Sequence, residues 1–153
     1  MRNTIADFNK VINLVNDCEQ AITKVTGNKV TINLIDENVL GISPRGRLFL
    51  LRKVIVEHFE IDRVLYMSKA RNTTLVRARQ FLAYIAWHHI KGVTLKEMGE
   101  VTGGRDHATM INNRDNCEQF QLLEKEYKAE YDAVKMAYDM ALVLKQSKIE
   151  DNV

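Results

Sequence analysis

The feature that most constrains this chain is an eighteen-residue stretch, Thr94-Leu95-Lys96-Glu97-Met98-Gly99-Glu100-Val101-Thr102-Gly103-Gly104-Arg105-Asp106-His107-Ala108-Thr109-Met110-Ile111. Thr94 followed three residues later by Glu97 makes a capping box, which satisfies two otherwise orphaned backbone donors and starts a helix. Leu95, Met98 and Val101 fall on one face of that helix. Gly103 and Gly104 accept positive φ without a Cβ penalty, so the helix ends and the chain turns sharply within two residues. Asp106 then caps a second helix, and Arg105, Asp106, His107 and Thr109 crowd its first turn. Two short helices joined by a glycine turn, with polar side chains gathered at the start of the second, are the layout of a helix-turn-helix that offers those side chains to base edges.

The run Gly103-Gly104-Arg105-Asp106-His107-Ala108-Thr109 also resembles the signature of a known family, the C-terminal duplex-DNA-binding domain of the bacterial replication initiator DnaA. Upstream, Ser68-Lys69-Ala70-Arg71, then Val76-Arg77-Ala78-Arg79-Gln80 and Ala83-Tyr84, look like that family's basic loop and long helix, in the same order and at nearly the same spacing. The resemblance runs from about Leu50 to about Cys117, under half of the chain. It departs from the family in two places. Trp87 to Val93 is one residue longer than the usual connection into the motif, and Ala108 stands where the family usually has Ser or Thr.

The resemblance implies specific binding of double-stranded DNA. Its candidate contacts are Lys69, Arg71, Arg79, Thr94, Leu95, Lys96, Arg105, Asp106, His107, Ala108, Thr109 and Arg114. Lys69, Arg79, Lys96 and Arg114 are expected on phosphates, where they would carry the salt dependence. Arg71, on a loop beside the motif, is expected in the minor groove, as the matching residue of the family is. Asp106 is expected to accept from cytosine or adenine amino groups or to cap its helix, Thr109 to meet a thymine methyl, and Arg105 to meet guanine or phosphate. Leu95 would add an apolar base contact, and Ala108 keeps a methyl while losing the hydroxyl.

Charge agrees with a polyanion partner. Residues 43 to 117 hold thirteen Lys plus Arg against seven Asp plus Glu, a local net charge of +6, whereas residues 1 to 42 carry −1 and residues 118 to 153 carry −3. The overall +2 thus hides a basic middle, the electrostatic footprint of a nucleic-acid-binding module.

The flanks read as helices. Ile5, Phe8, Ile12, Val15, Ile22 and Val25 recur at three- and four-residue steps behind a cap at Asn3 or Thr4, and the stripe closes at Gly27-Asn28. Val30, Ile32 and Leu34 alternate, so a small hairpin near 29–42 is an open alternative. Ser43-Pro44 opens a helix to about Phe59 with Leu48, Leu51, Ile55 and Phe59 inward and Arg45, Arg47, Arg52 and Lys53 off that stripe. Residues 61 to 67 make one turn that packs Val64 and Leu65. A long helix follows, capped by Thr73 or Thr74 and running to about Ile90, with Leu75, Ala78, Leu82, Ile85 and His89 inside and Arg77 and Gln80 pointing elsewhere. Phe120, Leu123, Tyr127, Tyr131, Val134, Tyr138, Ala141 and Leu144 form a near-heptad seam, which either folds back on the N-terminal helix, the preferred reading, or pairs in a homodimeric coiled coil.

The expected fold is therefore mainly α: a helix-turn-helix domain over 43–117, an N-terminal helix with the possible hairpin over 1–42, and a C-terminal amphipathic helix over 118–153. An enzyme is not expected, because the chain has no GxxxxGK[ST] or GxGxxG loop, no nucleophile elbow and no cluster of metal ligands. His88 and His89 are adjacent, so their rings diverge by about 100° on a helix and do not share one ion. Cys18 and Cys117 stand far apart without a CxxC partner, so neither a zinc site nor a disulfide framework is expected. No cofactor is implied. No apolar run approaches a membrane span and Met1 to Asp7 lacks a signal peptide's apolar centre, which points to the cytoplasm. The expected function is that of a duplex-DNA-binding regulator of replication or transcription, of a kind a phage or other mobile element would encode. The rival is a protein-interaction module that uses its terminal helices on a replication or other partner.

Overall fold

The computed structural model of the chain describes residues 4–30 and 42–151. Among them are seven helices and no strand, the mainly α fold expected from the periodicity. The hairpin considered near 29–42 lies outside the described residues for most of its length. The chain divides into two units, residues 1–36 and 37–153.

The first unit is α1, Thr4–Thr26. It ends as its sequence requires, with Gly27 at φ +72° and its N–H bonded to Thr23 O at 2.8 Å. Ile12, Leu14, Ile22 and Val25 are exposed on it.

The second unit contains α2 (Pro44–His58), α3 (Arg63–Met67), α4 (Thr73–His89), α5 (Leu95–Val101), α6 (His107–Leu123) and α7 (Lys125–Asp151). Side chains fix most of its helix starts. The Ser43 hydroxyl accepts Gly46 N–H at 3.0 Å with Pro44 in the first turn, and Asp62 Oδ1 accepts Val64 N–H. Each such cap is worth about 1 kcal/mol. The cap of α4 is Asn72, whose Oδ1 accepts Leu75 N–H at 2.8 Å, and not Thr73 or Thr74, which are already helical.

Helix α4 is the spine, packed by α2, α5, α6 and α7. Leu75, Ala78, Leu82 and Ile85 are buried on it as their spacing predicts, but Phe81, Ala83 and Ala86 are buried too, because neighbours cover several of its sides. Gln80 is therefore inside, accepting Tyr127 Oη–H at 2.8 Å, while His89 is exposed. Phe81 stands among Phe59, Tyr127 and Tyr131 at ring separations of 5.1 to 5.8 Å. In α3 the inward residue is Tyr66, fully buried, while Val64 is 76% exposed and Leu65 is exposed as well. On α2, Leu48, Leu51 and Ile55 are buried as expected, and so is Arg47.

The C-terminal seam is broken near its start. Helix α6 ends at Leu123, Glu124 is extended at φ −125° and ψ 115°, and α7 begins at the next residue. After the break Tyr127, Tyr131, Val134 and Tyr138 are buried, joined by Leu142, and the neighbours that cover α7 are α2, α4 and α6 of its own unit. The seam expected to close on the N-terminal helix or on a second copy is thus filled within this unit. Leu123 and Leu144 fall outside it and are exposed, as are Met136, Met140 and Val143. No helix among the described residues is long and apolar enough to cross a membrane.

Two glycines set the packing of the motif. A Cβ at Gly99 would fall on the Arg105 carbonyl oxygen, and a Cβ at Gly103, where φ is +96°, would fall on that of Met67. Gly104, at φ +78°, has open space around it. Replacing Gly99 or Gly103 by Ala is expected to destabilise the protein by roughly 2–4 kcal/mol, since backbone must shift, whereas Gly104→Ala should cost only the left-handed strain of about 1 kcal/mol. Urea unfolding of the three variants checks the order. Equal losses at Gly103 and Gly104 would place the cost there in φ alone, and an unaffected Gly99→Ala, where φ is not positive, would show that its close contact yields.

Candidate nucleic-acid interface

The helix-turn-helix forms by the local chemistry that its sequence carries. Thr94 Oγ1 accepts Glu97 N–H at 3.2 Å and Glu97 Oε2 accepts Thr94 N–H at 2.9 Å, completing the capping box. At the far end of α5 the Gly99 carbonyl accepts from Thr102, Gly104 and Arg105 N–H at 2.9 to 3.2 Å, which closes the turn on one atom. The buried Thr102 hydroxyl donates to Met98 O at 2.7 Å and so covers a second helix-end carbonyl. Asp106 Oδ1 then accepts Thr109 N–H at 2.8 Å and starts α6. That bond, with a second from the Thr109 hydroxyl, holds the Asp106 carboxyl below the usual carboxylate range.

Beside the turn lies the basic loop, residues 68 to 72, and its shape is set by Arg79. This guanidinium is buried on α4. Nε and Nη2 donate to Tyr66 O at 3.2 and 2.8 Å, Nη2 to Ser68 O at 2.8 Å, and Nη1 to Ala70 O at 2.6 Å. A planar fork with five donors suits three carbonyls spread from the end of α3 into the loop, as an ammonium would not. Burial, and next the nearby Arg105, lower the pKa of Arg79, while burial raises that of Tyr66 beneath it. Arg79, expected on phosphate, is therefore spent inside the protein. The loop is also joined to the motif: Arg105 Nη2 donates to Ser68 O at 2.9 Å, and Gly103 sits against the Met67 carbonyl. Arg52 reinforces the same corner by donating to Val101 O at 3.5 Å.

The other expected contacts fall into two groups. Lys69 and Arg71 on the loop, Thr94 and Lys96 at the start of α5, and Asp106, His107 and Ala108 at the start of α6 are exposed. Leu95, Arg105 and Thr109 are half-buried, Leu95 by packing against the core. Arg114 is largely engaged: its guanidinium stacks on Trp87 at 4.6 Å and bonds Asp115 Oδ1 at 2.9 Å. The residue that the sequence reading missed is Gly99. A glycine inside an otherwise ordinary helix costs about 1 kcal/mol, and that unexplained cost was the available signal for a close backbone approach.

Substituting Arg79 tests the support of the loop. Arg79→Lys cannot bridge Tyr66, Ser68 and Ala70 together and should lose roughly 2–3 kcal/mol, since hydrogen bonds from a charged donor are worth about 1.5–3 kcal/mol each. Proteolysis should then cut first within 68–72. Wild-type stability with an equally resistant loop would show that other contacts hold it.

Residues 50–116 match the family model described as the bacterial dnaA protein helix-turn-helix. Relatives include the chromosomal replication initiator protein DnaA of Sphingopyxis alaskensis, 29% identical over 119 residues that cover 75% of this chain and 26% of the relative. That of Mycoplasma capricolum is 32% identical over 111 residues, covering 69% and 24%, and that of Citrifermentans bemidjiense is 29% identical over 114 residues, covering 72% and 25%. The chain spans about a quarter of the length of these relatives. The corner built by Gly99, Gly103, Arg79 and Arg105 lies wholly within the matched segment, and residues 50–116 of this chain are a helix-turn-helix domain of the bacterial DnaA family.

Proposed function

We propose that the chain binds double-stranded DNA in a sequence-specific manner and acts as a regulator of replication or transcription, at sites like those that a DnaA-type initiator reads. The observation that carries this reading is the junction of two elements. The exposed first turn of α6 and the exposed basic loop bearing Lys69 and Arg71 are joined through Arg105 and Ser68 at 2.9 Å, so they face one duplex as a unit. His107, Asp106 and Thr109 would meet the major groove and Arg71 the adjacent minor groove, while Lys69 and Lys96 fix register on phosphates. The net charge of +6 over residues 43 to 117 supplies the attraction.

A second reading, a protein-interaction module, draws support from the exposed Met136, Met140, Val143 and Leu144 of α7. The two readings part on DNA. Selection from a pool of random duplexes should return a defined site, bound with an affinity that falls steeply as salt rises. Binding no tighter than millimolar to every duplex at low salt would leave the interaction module standing.

Asp106 separates readout from structure. Asp106→Asn keeps an N-cap, so thermal stability should be unchanged, while a mixed donor and acceptor edge replaces a pure acceptor. Loss of discrimination at one base pair by about 1–3 kcal/mol is expected. Unaltered discrimination would confine Asp106 to the cap and move base reading to Arg105, His107 and Thr109.

A further inference from the structure

The exposed side of α6 continues past its first turn. Successive residues of a helix are about 100° apart, so Ala108 and Asn112 point within about 40° of each other, with Ile111 and Asp115 on the same side. Ala108, Asn112 and Asp115 are exposed, and Ile111 is 36% exposed. Ala108 to Asn112 is about 6 Å along the axis. A base-pair step is about 3.4 Å, so a helix laid along the major groove carries Asn112 to a base pair nearly two steps beyond the one under Ala108.

Asn112 has no structural employment. It caps nothing, and among the described residues its amide has no hydrogen-bond partner. Asparagine is a poor helix former because its side chain competes for backbone groups, so an exposed Asn in the middle of a seventeen-residue helix weakens it without return inside the chain. Its chemistry is nevertheless specific: one acceptor and one donor on a rigid plane match N6 and N7 of adenine in the major groove. The apolar Ile111 and Ala108 beside it suit the methyl of thymine. One residue further round, Arg114 is bound to Asp115, so the carboxylate that would repel phosphates is paired and the reading surface ends there.

We infer that Asn112 is a specificity-determining residue that pairs with an adenine in the major groove, extending the readout one helical turn beyond His107 and Ala108. This rests on the duplex-binding reading of the same domain. The test is selection from a pool of duplexes with a randomised core, by the wild-type chain and by Asn112→Ala, an exposed change that improves helix propensity. The wild type should select a site with one adenine that the variant no longer prefers, the loss at that position being roughly 5- to 150-fold, with the rest of the site retained. Identical sites for both proteins would overturn the role of Asn112 and leave the duplex reading intact. Failure of the wild type to select any site would overturn both. Asn112→Gln, a longer amide with the same edge, should retain an adenine preference or move it to a neighbouring position, and its loss of all preference there without loss of folding would also count against a bidentate pair.

Discussion

The structure depends on one buried guanidinium. Arg79 is the point at which the spine helix α4, the single turn of α3 and the basic loop become one object, because its donors reach Tyr66, Ser68 and Ala70 together. Without it the buried Tyr66 carbonyl would lose its donors, and a buried unpaired carbonyl is costly. A loop of small and polar residues, Ser68 to Asn72, has no core of its own. Its geometry is borrowed from α4, and the exposed Lys69 and Arg71 owe their placement to a side chain that never reaches the surface.

That arrangement explains how much of the molecule was legible in the sequence. The helix-turn-helix was readable because its signals are local: Thr94 with Glu97, the glycine pair, and Asp106 as cap all act within four residues. The stripes of α2 and α4 were readable where one face is buried, as at Leu48, Leu51 and Ile55. Periodicity failed where burial is not one-sided. Gln80 and Arg79 look like the polar side of α4, yet one accepts from Tyr127 and the other organises the loop, because α4 is covered on several sides. The turn of α3 was read by hydrophobicity, which favours Val64 and Leu65, but five residues bury only what their neighbours can cover, and Arg79 stacks on Tyr66. Of the candidate contacts, Arg79 could not be told from Lys69 by composition. The difference is one of depth, and depth is a tertiary property.

Helix α7 braces the domain from the side of α2. Tyr127 and Tyr131 reach Phe81 edge-on, and Glu130 takes Arg77 at 2.9 Å, so aromatic contacts and a half-exposed ion pair hold the same face. The break at Glu124 is what makes this possible. A continuous helix from His107 onward would carry Tyr127 and Tyr131 away from α4 in a straight line, and only a change of direction returns them.

The tie between Arg105 and Ser68, together with the seat of Gly103 on Met67, has a consequence for the length of any site. Two reading elements on a flexible tether would tolerate an inserted base pair between their targets. Here the tether is a hydrogen bond and a backbone contact, so under the proposed function the protein acts as a ruler. One added base pair turns the flank by about 35° and moves it by about 3.4 Å, more than a packed backbone yields. A sequence with all the right bases at the wrong interval would then be read as two halves of different sites.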